Sequence, residues 1–245
     1  MNRISLIHFL YATLLHIFNL VNSVLKNQYL LMLEKSKTKN WMIDQSSEVL
    51  HAIHNQEVNI AIWERKNISS SIQDESLALI ESNYTLRSTG SSENIRSIID
   101  QEISSKEYPS IHKSVTELLM MYRDITGIDD FRLLLTTVNS NMCRRFHTDV
   151  NDIRLLCTLM GQGTLWLPEH NVNREALNTQ KDNEDIVINS DYIMQVPENG
   201  VVLLKGALYP KAGTRAIVHR SPTIEESGEK RLLLRIDTND NLNFG

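Results

Sequence analysis

The spacing of hydrophobic and polar positions changes near residue 130. Upstream, apolar residues recur every third or fourth place. Ile4, Ile7, Tyr11, Leu14, Phe18, Val21 and Leu25 keep that period in a stretch free of Asp, Glu, Lys and Arg, so residues 4–25 read as an amphipathic helix. Residues 26–45 are polar and Lys-rich and read as a connector. Ser46 or Ser47 then caps a short helix. The alternating Val-Asn-Ile-Ala-Ile-Trp at 58–63 reads as a strand. Residues 70–105 look helical but polar, with a break at 88–92. After Pro109, Val115, Leu118, Leu119 and Tyr122 share one face of a helix over 111–125, which Gly127 stops.

Downstream the runs are short and β-like: 131–138, 153–160, 164–167, 192–196, 201–204, 214–219 and 231–236. Turn residues separate them, among them Gly161-Gln162-Gly163, Pro197-Glu198-Asn199-Gly200 and Glu226-Ser227-Gly228. Many short strands without strong helices between them predict an antiparallel barrel or sandwich. The polar segment 169–190 suits a loop over the barrel mouth. The expected fold is α+β: a helical amino-terminal half packed on a carboxy-terminal double-stranded β-helix, a jelly roll of the cupin-like kind. Residues 1–43 form an extension and linker. Residues 44–245 form one domain, helical over 44–128 and barrel over 129–240.

At 245 residues the chain can bury a full core, and 41% hydrophobic content is ordinary for a globular protein. A net charge of −5 without a long Lys/Arg run disfavours nucleic acid as the main partner. Cys143 and Cys157 make no CxxC, and two lone thiols suit a reducing cytoplasm. Membrane contact is expected only through residues 1–25, as a weak anchor, if at all.

The candidate chemistry lies in the second half. His147 and Asp149 are two apart, so on a strand both side chains face one way. His219 ends an apolar run and can supply a third ligand from the opposite wall. Two imidazoles and one carboxylate leave coordination positions open on the metal and suit iron(II), with zinc as the alternative. Arg231 and Arg235 share a strand face. Two inward guanidiniums require an anion, and a dicarboxylate co-substrate supplies one. Arg231 is the expected carboxylate anchor and Arg235 a second anchor or substrate contact.

Each residue has a plainer reading. His147 can be a rim histidine bonded to Asp149, and His219 a satisfied core histidine. Arg231 and Arg235 can sit on a solvated face. Cys143 can join the three ligands in a thiolate zinc site or simply start a strand. Cys157 reads as core. His51 and His54 read as a solvated helix face, and Trp63, Trp166 and Tyr122 as core or rim.

Several separated blocks resemble one bacterial family, domain of unknown function 1826. They are Val58-Asn59-Ile60-Ala61-Ile62-Trp63-Glu64-Arg65, Cys143-Arg144-Arg145-Phe146-His147-Thr148-Asp149, Ile153-Arg154-Leu155-Leu156-Cys157-Thr158, Gly161-Gln162-Gly163-Thr164-Leu165-Trp166-Leu167-Pro168, Leu204-Lys205-Gly206 and His219-Arg220-Ser221-Pro222. That family implies no reaction. More distantly, the carboxy-terminal half resembles the 2-oxoglutarate- and iron(II)-dependent dioxygenases, which carry His-x-Asp, a distal His and a basic residue on the last strand. The resemblance implies metal roles for His147, Asp149 and His219 and a co-substrate role for Arg231. Arg220, directly after the distal His, and the Arg144-Arg145 pair depart from that pattern. The expected function is therefore hydroxylation of a small molecule or protein. The alternatives are a non-catalytic metal-binding protein of zinc or iron homeostasis, and a metal-free barrel that binds an anionic small molecule.

Overall fold

A computed structural model describes residues 39–66, 69–210 and 213–238. The helix expected over 4–25 lies outside the described residues. Among the described residues ten strands form two sheets. They are β1 (Trp41–Asp44), β2 (Ile60–Trp63), β3 (Thr85–Gly90), β4 (Phe131–Val138), β5 (Ile153–Met160), β6 (Leu165–Leu167), β7 (Met194–Gln195), β8 (Val201–Lys205), β9 (Val218–Arg220) and β10 (Arg231–Thr238). The large sheet runs β1-β2-β8-β5-β10-β4-β3 and the small one β7-β6-β9. A bridge between His147 and His219 adds residue 147 to the free side of β9. From β5 onward the chain passes from the large sheet to the small one and back twice, β5 to β6 and β7 to β8, then β8 to β9 and β9 to β10.

The runs read at 131–138 and 153–160 have those bounds in the structure. Both faces of the large sheet are covered, which explains their near-continuous apolar sequence. One face, with Leu133, Leu155, Cys157, Leu203, Leu232 and Leu234, packs against helices α1 (Ser70–Glu81), α2 (Ser92–Glu102) and α3 (Pro109–Thr126). The other, with Ile60, Ile62, Leu156, Val202 and Leu233, packs against Trp166 of the small sheet. Helix α3 buries Val115, Leu118, Leu119 and Tyr122 as its period predicts, and Gly127 ends it at φ 69°.

Four expectations are corrected. The front half is not simply helical, because it gives β1, β2 and β3 to the large sheet. Trp41–Asp44, read as part of a connector, is a strand parallel to β2. Thr85–Gly90, read within a polar helix, is an edge strand that buries only Leu86 and Ser88 and meets β4 on one side. The segment 169–190 does not cover the barrel mouth. It folds into short helices α4 (Arg174–Asn178) and α5 (Asn183–Ile186) and lies on the back of the small sheet. There Val172, Ala176 and Ile186 pack on Phe146, Leu167 and Val218. Among the described residues no helix is long and apolar enough to cross a membrane.

Candidate metal and anion site

His147 and His219 are neighbours across a narrow antiparallel bridge. Each donates its main-chain N–H to the other's carbonyl, at 3.0 Å both ways. The rings lie 4.7 Å apart, centroid to centroid. Each Nδ1 is tied to the carbonyl two residues upstream, of Arg145 at 2.9 Å and of Ile217 at 3.4 Å. With the proton on Nδ1, each Nε2 keeps a free lone pair, as a metal-ligating imidazole requires. Both Nε2 atoms point at Asp149, at 3.6 Å for His147 and 3.3 Å for His219.

Asp149 is held by its main chain. The loop 149–152 receives N–H donors from the segment after β8: Gly206 to Asp152, Ala207 to Asp149 and Leu208 to Asn151. Only glycine fits at 206, because a Cβ there would lie 2.1 Å from the Asn151 Oδ1 and 2.2 Å from its carbonyl oxygen. His147 and Asp149 therefore converge without a regular strand between them.

The donor atoms of His147, Asp149 and His219 lie within 4.8 Å of one another. Ligands in cis positions about 2.1 Å from a metal are separated by roughly 3 Å, so a small closure around an ion completes the set. Cys143 is exposed and lines the same cavity, but it is not in the converging group. Cys157 is core, as expected.

Arg154 adds a group that the sequence reading passed over. It pairs with Asp149 and, through Nε at 2.6 Å, with the buried Asp237 on β10. Arg235 approaches the other Asp237 oxygen at 3.1 Å. The charges reinforce one another. Burial alone would raise the Asp149 carboxyl, but the two imidazoles, in their protonated form, and the charge of Arg154 hold it far below the usual carboxylate range; the neutral form with a free Nε2 is the one a metal would take. The Asp149 carboxylate, 3.6 Å from its Nε2, raises His147 against the opposing effect of burial. Burial opposes the charge on Arg154, yet Asp237 and Asp149 together raise it. The alternation of Arg154, Leu156 and Thr158 against Leu155 and Cys157 was the available signal for an inward arginine.

Arg231 and Arg235 face the same cavity as the two histidines. Arg231 is only 1% exposed. Its Nη2 donates to Thr158 Oγ1 at 2.9 Å, while its buried Nε has no acceptor. Among the described residues no carboxylate pairs with it. Burial pushes its guanidinium down to about 10. The cavity, about 70 Å³, also touches Arg220 and the exposed Met142. His51 and His54, read as a solvated pair, lie elsewhere, and His54 Nε2 is bonded to the carbonyl of Ile125 at 2.8 Å.

A family model described as "Protein of unknown function (DUF1826)" matches residues 44–237. None of the curated proteins matches the sequence. Three solved structures illustrate the structural likeness. The dioxygenase for auxin oxidation 1 from Arabidopsis thaliana, in its 2-oxoglutarate complex, aligns at 9% identity and TM-score 0.48, over 82% of this chain and 92% of its own. A Pseudomonas putida prolyl-4-hydroxylase aligns at 10% identity and TM-score 0.39, over 78% and 96%. HygX from Streptomyces hygroscopicus, with iron bound, aligns at 10% identity and TM-score 0.41, over 79% and 87%.

Proposed function

The chain belongs to the DUF1826 family of proteins of unknown function, and from that starting point we propose that it is a 2-oxoglutarate- and iron(II)-dependent oxygenase built on a cupin-like double-stranded β-helix. One observation carries the proposal. A buried guanidinium without a carboxylate, Arg231, shares a cavity with a converging His-Asp-His set. An unpaired buried charge is expensive, so the fold is complete only when an anion meets it.

The donor set fits iron(II): two neutral imidazoles, one carboxylate and no thiolate in the group. Iron(II) held there with 2-oxoglutarate supplies oxygen activation coupled to decarboxylation of the co-substrate. The chain supplies the rest. His147 and His219 present Nε2 from a rigid bridge. Arg154 orients the Asp149 carboxylate. Arg231, fixed by Thr158, offers a planar fork to the distal carboxylate of 2-oxoglutarate. Leu156 and Leu233 keep that part of the cavity dry.

The test is succinate release by the full chain under air. We expect it to require both iron(II) and 2-oxoglutarate and to vanish in His219→Ala. No 2-oxoglutarate binding to the iron- or manganese-loaded protein refutes the reading. A second reading, a metal-free barrel for an anionic small molecule, draws on the Arg154–Asp149 pair, which neutralises Asp149 without an ion. It predicts that His147→Ala leaves anion binding intact, whereas the oxygenase reading predicts loss of metal.

A further inference from the structure

Four rings stand in line from the candidate metal site to the surface. The line starts at Trp166, the cross-strand partner of His219 on the small sheet. Directly opposed residues project from one face with Cβ atoms about 5 Å apart, so the Trp166 indole stands beside the His219 ring. Trp41 of β1 lies 5.7 Å from Trp166, centroid to centroid. His170, in the short turn Glu169–Asn171 after β6, lies 6.3 Å from Trp41. Tyr192 meets His170 edge-on at 5.9 Å. Each step falls in the ~4.5–7 Å range of rings in contact. Exposure rises along the line: Trp166 is fully buried, Trp41 and His170 are half-buried, and Tyr192 is 49% exposed.

Indole and phenol are the aromatic side chains that most readily give up one electron. Transfer between rings in contact is fast, because tunnelling falls off steeply with the gap. Hydrogen bonding gives the line a direction. The Trp166 indole N–H is buried and has no acceptor. An orphan of this kind costs stability and calls for a reason. Here it means that an oxidised Trp166 cannot shed its proton, stays a strong oxidant and passes the deficit on. Tyr192 is the opposite case. Its ring is open to water, so loss of an electron and release of the phenolic proton go together, and the neutral radical that results is the sink.

We propose that Trp166, Trp41 and Tyr192, with His170 as a spacer, form a one-electron relay that drains an oxidising equivalent from beside His219 to the surface. Its duty rests on the oxygenase reading, in which oxygen activation without a substrate leaves a one-electron oxidant at the site. Trp166 gives one electron to that oxidant. Trp41 then gives one to Trp166, and Tyr192 gives one to Trp41 and releases its proton to water. A solution reductant of the ascorbate or thiol class returns one hydrogen atom to the tyrosyl radical and restores the phenol. The relay spares Leu156 and Leu233, which line the cavity and pack with Trp166 in one core cluster.

The relay is tested first without metal. Pulse radiolysis of the full chain in azide solution makes the azide radical, which takes one electron from an accessible indole. Trp63 is the one tryptophan outside the line, so in Trp63→Phe the deficit starts on Trp41 or Trp166. The same comparison with Trp63 intact covers a failure of that variant to fold. We expect tryptophan-radical absorption to convert to tyrosyl absorption at a rate independent of protein concentration. Tyr192→Phe, which removes only a hydroxyl from an exposed ring, should slow that conversion about tenfold or more. Absence of conversion, or an unchanged rate in Tyr192→Phe, overturns the inference. The second arm supplies iron(II) and 2-oxoglutarate under air without substrate, and peptide mapping by mass spectrometry reads oxygenation of Trp166. Tyr192→Phe should accumulate more of it than wild type. Succinate release with equal Trp166 oxygenation in the two proteins overturns the draining role. If 2-oxoglutarate never binds while the radical still travels to Tyr192, the oxygenase reading fails and the relay stands.

Discussion

Replacing Arg231 by Met should make the protein more stable and remove its proposed co-substrate. The side chain is 1% exposed and donates one hydrogen bond, to Thr158. Losing that hydrogen bond costs about 1 kcal/mol. Removing a buried charge that no carboxylate answers returns roughly 1–4 kcal/mol when an apolar side chain of similar volume takes its place. The net expectation is a gain of up to about 3 kcal/mol, which for a domain of this size raises Tm by up to roughly 12 °C. In wild type, 2-oxoglutarate at 100 times its Kd adds about 2.7 kcal/mol. That corresponds to a further rise of about 5–11 °C. The variant should show no such rise. Thermal melts of manganese-loaded wild type and Arg231→Met, with and without 2-oxoglutarate, read both effects. A variant that melts several degrees below wild type, or still gains stability from 2-oxoglutarate, refutes the reasoning.

Three further outcomes are expected. Gly206→Ala should lose about 1–3 kcal/mol in urea unfolding, because its Cβ meets Asn151 at 2.1 Å; metal uptake should fall with it, since Ala207 holds the Asp149 carbonyl. Cys143 should react with a thiol reagent in the native protein, whereas Cys157, fully buried and pushed up by that burial, should react only on unfolding; early labelling of both would show the core open. Glu169 is buried enough to raise its carboxyl, yet Arg174 and Arg215 hold it below its ordinary 4.5. A depressed carboxyl stabilises the fold above its unfolded value and loses that contribution as pH falls through the folded one. The stability difference between wild type and Glu169→Gln should thus be constant above about pH 5.5 and shrink below 4.5; a difference that grows in acid would reverse the sign.

The parts of this fold that were legible in sequence are those where one rule acts alone. The runs at 131–138 and 153–160 are apolar because both sides of their sheet are covered, and turn residues bound them. The face shared by Arg231, Leu233 and Arg235 followed from strand alternation and is the face that lines the cavity. Thr85–Gly90 was missed because an edge strand needs little apolar surface, and its one large apolar residue, Leu86, carries no periodicity. The place of segment 169–190 was missed because its few buried apolar residues sit in separate short pieces, Val172 in a lone bridge, Ala176 in α4 and Ile186 in α5. Arg154 lay hidden inside an apolar run, and its partner Asp237 is 83 residues away in the chain. Pairings at that distance leave no local trace, so the charge network around Asp149 became visible only in three dimensions.

The mutual main-chain bridge between residues 147 and 219 changes how the centre assembles. Two donors travel as one stiff unit, so in the proposed metal site capture of an ion would freeze a single joint, the carboxylate. That joint already has a resting partner in Arg154. Loading and release then amount to an exchange of partners by one side chain, and the speed of that exchange can be tuned at position 154 without touching either imidazole.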